Sequence, residues 1–514
     1  MCSRVQRLGL FVALITTAGC FHFEDTGLRS DGGGSDAAVN DAAVNDARTT
    51  DATPSGLTVS AARFNRVVDD SSANIDVTIT RDNVDGAVTI SVPGVLPLGV
   101  SIPSVEIAAG QTQGTLVVTA ASGATTGAAE ITIQAAAGGD MASTPTTLLV
   151  ALSPGVTDSS FGTGGIINDT GADRVKDIAV SDGGRVYVLV ADGTDQLVAL
   201  DQAGAFDMSF GNQGRVLLSN MDATALAVRS AGGVMVLGES LVSPMGLSVR
   251  VFTEAGSPDT SFQGTGIFGV PSGTVANALG NAIAIGPDGT VYVAGENGDK
   301  TNAAVFRFGS TGTYMNFGLM PAGGSAVFEG IGLQADGKVV AVANTSGGIP
   351  VVTRFDSAVG LDGTFGTSGS AAFGSTAMFV KGLYVADSDQ IAVVGQGNAG
   401  GNPGIVGVML ADGSAVDYQT NLTPTSSSND VAIDASGRVV SASEWCPSPC
   451  TESSGAVHRF QAGGGFDSGF GATGLVTFSG SPGVVFEAIA IQPDGRIIAG
   501  GSKGTDWYVV RLWD

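Results

Sequence analysis

Two patterns of apolar and polar positions run through the 514 residues, and both have the period of a strand. Between residues 57 and 153 short runs alternate: IDVTITRD, GAVTISV, VEIAAG, GTLVVTAA, AEITIQAAAG and TTLLVAL, with turn residues every 8 to 12 positions. Successive side chains on a strand point to opposite faces. Such alternation therefore predicts about seven short antiparallel strands, each with one buried face, packed as a sandwich. Beyond residue 154 the runs come in pairs joined by a turn: IAVSDGGRVYVLV, LAVRSAGGVMVLG, IAIGPDGTVYVAG, IGLQADGKVVAVA, LYVADSDQIAVVG, VAIDASGRVVSAS and IAIQPDGRIIAGG. An Asp-Gly pair between two apolar runs is a hairpin signal, because glycine supplies the positive φ of a tight turn at no steric cost.

The hairpins belong to a longer repeat. A D-x-S-F-G-x-x-G element stands at Asp158, Asp207, Asp259, Asp362 and Asp467, with degenerate copies near Asn316 and at Asp417-Tyr418. A strand of the form VRVF, VFRF, VTRF, VHRF or VVRLW closes the unit. The anchor aromatics Phe161, Phe210, Phe262, Phe317, Phe365, Tyr418 and Phe470 lie 48 to 55 residues apart. Seven units fill residues 158–514, which is 357 residues or 51 each. Four short strands fit that length, and four-stranded units at such a period mark a propeller, with a β-solenoid of shorter coils as the alternative. Seven blades closed into a ring also hide the strand edges that an open array exposes. The predicted fold class is all-β: a seven-bladed β-propeller over residues 154–514, preceded by a small immunoglobulin-like β-sandwich over residues 57–153.

The ordered combination of D-x-S-F-G-x-x-G, A-[IV]-x-x-D-G-[KR]-[IV] and [VA]-x-R-[FY] resembles the delta-sixty repeat of bacterial exported proteins, over about 70% of the chain. The third and seventh units, IAIGPDGTVYVAG and IAIQPDGRIIAGG, match best, while the fifth departs, with DSDQ where the family has Asp-Gly. The resemblance implies a propeller-like fold in a secreted or surface protein. It brings no catalytic residue with it.

The first residues supply an address. Arg4 and Arg7 precede an apolar run from Leu8 to Ala18, too short to span a bilayer but of signal-peptide length. Thr17-Ala18-Gly19-Cys20 resembles the lipobox of bacterial lipoproteins, departing at Thr17, where leucine is preferred. Residues 1–19 are therefore expected to be a signal peptide and Cys20 the lipidated residue, with Phe21 after it weakly favouring the outer membrane. Residues 20–56, with the repeat AAVND, read as a flexible acidic tether. They hold too little apolar surface to offset the entropy of ordering.

Charge narrows the classes further. Lys and Arg number 23 against 48 Asp and Glu, a formal charge of −25. Such a chain lacks the basic face that a nucleic acid needs. With 2 His and 4 Cys it offers few ligands for a metal, and no metal site or cofactor is expected. Cys446 and Cys450, close together in an exported chain, are expected to form a disulfide. The strand arginines Arg250, Arg307, Arg354, Arg459 and Arg511 have two readings. They form repeated ion pairs with turn acids such as Asp259 or Asp467, or they bind an anionic ligand in a channel. No catalytic set is assembled: His458 sits in a repeat strand, and no G-x-S-x-G, H-E-x-x-H or phosphate loop occurs. Asp69, Asp70, Asp76 and Asp82 read as solvated turn acids rather than a calcium loop.

These observations point to a monomeric, lipid-anchored cell-envelope protein whose propeller is a binding or scaffolding module. The expected partners are the membrane, through the anchor, and an envelope protein or glycan. The alternative is a propeller enzyme, hydrolase or lyase, with its site in the central channel. A convergent polar cluster in that channel would favour catalysis.

Overall fold

The computed structural model describes residues 56–514, apart from 171–172, 244, 272, 276, 299–301, 322–324, 399–402, 424 and 447–450. Cys20, His22, the signal segment and the tether lie outside the described residues. Every named element is a strand. The N-terminal part is a two-sheet sandwich. Gly56–Ala61, Ser71–Asp82, Gln113–Ala120 and Val100–Ser101 form one sheet, and Phe64–Val68, Asp140–Ala151, Gly127–Ala137, Val88–Ser91 and Val105–Ile107 the other. That is nine strands rather than about seven. The extra ones are short or break the alternation, as Val100–Ser101 does, and the pattern leaves them unmarked. Inward residues such as Ile75, Val77, Ile90, Leu116, Ile133 and Leu148 fill the core between the sheets.

Seven four-stranded sheets follow. Blades 1 to 6 each run in chain order from an innermost to an outermost strand. The innermost strands are Arg174–Val180, Met221–Val228, Leu279–Ile285, Ala326–Leu333, Met378–Val385 and Thr425–Ile433. Blade 7 takes Val484–Ile491, Ile497–Lys503 and Asp506–Leu512 from the end of the chain and its outermost strand, Ile166–Asp169, from the beginning. Innermost strands of successive blades lie against one another, and that of blade 7 lies against that of blade 1, so the ring is closed. The fold is the seven-bladed propeller that the repeat predicts. Its blades, however, are offset by one strand from the sequence units: the strand after each D-x-S-F-G turn completes the preceding hairpin's blade.

Seven separate apolar clusters occupy the seven spaces between neighbouring blades. The anchor aromatics Phe161, Phe210, Phe365 and Phe470 are wholly buried in them. Phe161, Phe210 and Phe365 each lean on a glycine turn of the next blade, at Gly204, Gly256 and Gly413. Gly204 has φ +78°, and a Cβ there would come within 2.8 Å of the Phe161 ring. Gly413 has φ +70°, and a Cβ there would come within 2.6 Å of the Phe365 ring. Side chains are excluded at both places by conformation and by space.

The sandwich packs against the propeller through Leu149 and Ala151 on Trp513 and through an ion pair from Arg66 to Asp514. The sandwich acids are engaged or solvated. Asp69 accepts the backbone N–H groups of Gly123 and Ala124, and Asp76 accepts the Thr115 hydroxyl.

Candidate functional site

The three repeat motifs meet in space. In blade 7, Asp158 turns its Oδ1 back to accept the Ser160 N–H and hydroxyl, capping its own turn. Its Oδ2 takes Arg511 Nε at 2.8 Å and Arg496 Nη1 at 2.9 Å. Arg511 belongs to the closing-strand motif and Arg496 to the Asp-Gly-Arg hairpin. The Arg511 guanidinium stands 4.5 Å over the Phe161 ring and donates onward to the Gln202 carbonyl of blade 1. Blade 6 repeats this with Asp467, Arg459 (2.8 Å) and Arg438, and the Arg459 guanidinium lies 4.5 Å over Phe470. Blade 4 repeats it with Asp362, Arg354 (2.9 Å) and Lys338, with Phe365 at 4.8 Å. The cluster is a clasp. It caps a turn, bridges two cations and holds the next blade.

Electrostatics follow from this packing. Burial pushes the Asp158 carboxyl up, but Arg511, the Ser160 hydroxyl and Arg496 together pull it below the usual range. The Thr364 hydroxyl, with Arg354 and Lys338 adding to it, lowers Asp362 to about 2. Burial, reinforced by Arg496, lowers Arg511 to about 10.

Two of the five strand arginines behave otherwise. Arg354, Arg459 and Arg511 pair across their sheets with Val340, Val440 and Ile498. Arg250 pairs with Val236, one residue out of that register, so its side chain points to the other face and reaches the Ser219 carbonyl. Asp259, the expected partner of Arg250, is held instead by Arg229 from the hairpin turn at 2.7 Å, and Asp207 by Arg185 at 2.5 Å. Arg307 is in register but has no turn acid, because its blade carries a continuous outer strand, Tyr314–Leu319, in place of the turn. Phe317 lies on that strand and is 36% exposed, so it is not an interblade anchor.

Cys446 is buried and disulfide-bonded, while Cys450 lies outside the described residues. Trp445 is half-buried. His458 is buried between Phe460 and Phe466, with its Nδ1 unpartnered, and desolvation lowers its pKa to about 4.

The central channel holds what sequence reasoning missed. Every innermost strand has a β-bulge at the same place, occupied by Lys176, Thr224, Asn281, Glu329, Lys381, Asn429 and Glu487. Four of these reach a carbonyl of the next blade: Lys176 to Ala223, Thr224 to Gly280, Asn281 to Phe328 and Asn429 to Phe486. The position after the bulge is Ala or Gly in five blades and aspartate in two, Asp177 and Asp430. Both are half-buried on the innermost strands. Desolvation raises each to about 7, and for Asp177 the charge of Asp430 adds to it. Asp177 accepts the N–H groups of Ile178 and Leu226, and Asp430 those of Val431 and Ile489, so each carboxylate stitches its blade to the following one.

Two residues further along, the innermost strands of blades 1 to 7 carry Ala179, Ala227, Ala284, Gly332, Tyr384, Ala432 and Ala490, and the alanines pack into the clusters between their blade and the next. Tyr384 is the exception. It stands beside a cavity of about 980 Å³ where the hairpin turns of blades 5, 6, 7 and 1 surround one end of the channel. Asp182, Asp387, Gln390, Ser436 and Arg438 are among its walls. Arg438 is paired with Asp434 and Asp514. Among the described residues no group of three or more His, Cys, Asp or Glu is arranged to hold a metal ion.

No family model matches the chain, and comparison with curated proteins finds no match. Among solved structures, the chain is similar to Sqt1 from Chaetomium thermophilum, at 13% identity and TM-score 0.37, covering 68% of this chain and 100% of that one. It is also similar to a protein of unknown function from Dyadobacter fermentans, at 8% identity and TM-score 0.37, covering 57% of this chain and 94% of that one. Likeness at this level carries no argument about activity, and the propeller rests on its own sheet order and closed ring.

Proposed function

We propose that the protein is a lipid-anchored envelope protein, related to the delta-sixty repeat proteins, whose propeller binds an envelope ligand at the hairpin-turn end of its channel. The observation that carries the binding reading is the open cavity of about 980 Å³ at that end. Its size suits a small-molecule or oligomeric ligand, and it concentrates the one large departure from the repeat. The lipobox-like Thr17-Ala18-Gly19-Cys20 and the acidic segment after it support the anchored location and the outer membrane. A lipid on Cys20 gives durable attachment because each buried CH₂ contributes about 0.8 kcal/mol.

Two measurements test the reading. Intact mass spectrometry of the membrane fraction should find a chain that begins at Cys20 and carries acyl mass; an unmodified chain released without detergent refutes the anchor. Capture from envelope extract with the mature chain should enrich a component that Tyr384→Ala fails to retain.

A second reading, an enzyme working in the channel, draws on the raised pKa values of Asp177 and Asp430. Both carboxylates are already engaged by backbone N–H groups, which suits a structural stitch better than a general acid. Turnover of any envelope polymer that is abolished by Asp430→Asn, with the fold intact, would favour this second reading.

A further inference from the structure

A position that repeats seven times around an axis serves the same packing need in every blade, so a residue that breaks the series needs its own explanation. At this position of the innermost strand five blades carry alanine and one glycine, because it faces the next blade closely: a Cβ on Gly332 would come within 2.5 Å of Val385. Blade 5 carries Tyr384 instead, and it is 39% exposed. The part of the side chain that stays in contact with water gains nothing from folding and is free to meet a ligand. The same blade alone lacks glycine in its hairpin turn, which reads Asp387-Ser388-Asp389-Gln390. Two departures in one blade, side by side, border one cavity.

The walls of that cavity define the ligand. Tyr384 is its only aromatic residue. The aliphatic neighbours Ile433 and Ile491 end the innermost strands. Val180, Ala435, Ala462 and Pro493 add small aliphatic surface, and the polar part of the wall is hydroxyl, amide, carboxylate and one guanidinium. A protein partner would call for a cluster of apolar anchors in a desolvated centre, and none is present. One ring beside many hydrogen-bonding groups suits a sugar, whose C–H face lies on the aromatic surface while its hydroxyls exchange hydrogen bonds with the rim. Among the described residues neither Asp182 in blade 1 nor Asp387 in blade 5, both on the wall, forms an ion pair, and the arginine of the wall, Arg438, is already held by Asp434, Asp467 and Asp514. An acidic sugar would be repelled by this rim.

We infer that the mouth of the channel is a glycan-binding site that takes a stretch of neutral or amino sugar, with one ring stacked on Tyr384 and its hydroxyls bonded to the Asp387 and Gln390 side of the wall. This rests on the reading of the cavity as the ligand site and goes further by naming the ligand's class. No bond is made or broken in it.

The test is direct because Tyr384→Ala installs the residue that five other blades already carry, so the ring keeps its packing. Titration calorimetry with the mature chain would use glucose-, mannose- and N-acetylglucosamine-based tetrasaccharides, a uronic tetrasaccharide and tetralysine as probes. The expected result is binding of at least one neutral tetrasaccharide. That binding should weaken at least tenfold in Tyr384→Ala, persist within threefold in Tyr384→Trp, and be absent for the uronic probe. Binding that survives Tyr384→Ala overturns the proposal, as does preference for tetralysine over every sugar. If envelope capture depends on Tyr384 while no tetrasaccharide binds, the glycan class falls and the binding site stands. If neither capture nor sugar binding responds to Tyr384→Ala, both fall.

Discussion

Blades 7 and 3 solve the same packing problem with different chemistry. Blade 7 has every motif of the repeat, and its core holds Asp158 at 0% exposure between Arg496 and Arg511. Blade 3 has lost the turn acid. Its Arg307 Nε is buried without a partner, and the arginine acts on the hairpin-turn Asp288 only through its charge, with no contact ion pair among the described residues. Apolar side chains fill the space it shares with blade 4 instead: Phe355 lies 6.1 Å from Phe328, and a Cβ on Gly318 of the outer strand would come within 3.1 Å of the Phe355 ring. The difference teaches that the ionic clasp is one way, not the necessary way, to hold a blade to its neighbour. A buried ion pair gains little net stability over well-packed apolar groups, but once built it cannot lose one partner without large cost. Blade 7 joins the two ends of the propeller chain, so a directional clasp there also fixes which strand closes the ring.

The largest expected effect comes from breaking the blade 7 cluster. Asp158→Ala leaves two buried guanidinium groups without their shared carboxylate and should lower the unfolding free energy by about 3–5 kcal/mol in a denaturant titration. Arg307→Met in blade 3 removes a cation that makes no contact ion pair among the described residues and should change stability by less than about 1 kcal/mol. Equal losses in the two variants would end the distinction drawn between the blades.

Two pH slopes sharpen the contrast between the ionic and the apolar interior. His458 in blade 6 has its pKa lowered from 6.5 to about 4 by burial, so the unfolded chain binds its proton first. Stability from this group is complete above pH 6.5 and is lost as pH falls toward 4, on the order of 3 kcal/mol in all. His458→Leu should remove that loss, as followed by thermal unfolding across pH 4–7. Asp177 and Asp430 act in the opposite sense. Their pKa values are raised from 3.8 to about 7, so their contribution is complete below pH 3.8 and is lost as pH rises to about 7. Asp430→Asn should flatten that second slope, and a slope that does not change would show that the carboxyl is not desolvated in the channel.

The smallest effect compares two arginines that the sequence presents as equivalents. Arg354→Met separates Asp362 from its nearest cation and should destabilise by about 1–3 kcal/mol. Arg250→Met, at a site off the clasp, should cost under about 1 kcal/mol. A larger loss at Arg250 than at Arg354 would reverse the register argument.

Much of the fold was legible because strands and turns are local events. Alternation marked the hairpins, Asp-Gly marked their turns, and Phe161, Phe210, Phe365 and Phe470 marked the interblade contacts by their spacing. The candidate site was far less legible. Tyr384 was visible as the odd letter in LYV, where other units read IAV, LAV, IAI, IGL or VAI, yet nothing local says that this position borders a cavity. Asp177 and Asp430 gave no signal either, because their desolvation comes from strands of other blades.

By itself, the sequence determined the all-β class, the seven-fold repeat with its four strands per unit, and the residue types of the clasp. These depend on side-chain period and turn chemistry within a few residues. Only the tertiary structure decided that Ile166–Asp169 completes blade 7, that Arg250 turns away from its turn acid, and that Tyr384 opens onto a cavity. Each of these depends on strand register and ring closure, and both are set by partners up to the length of the propeller away along the chain.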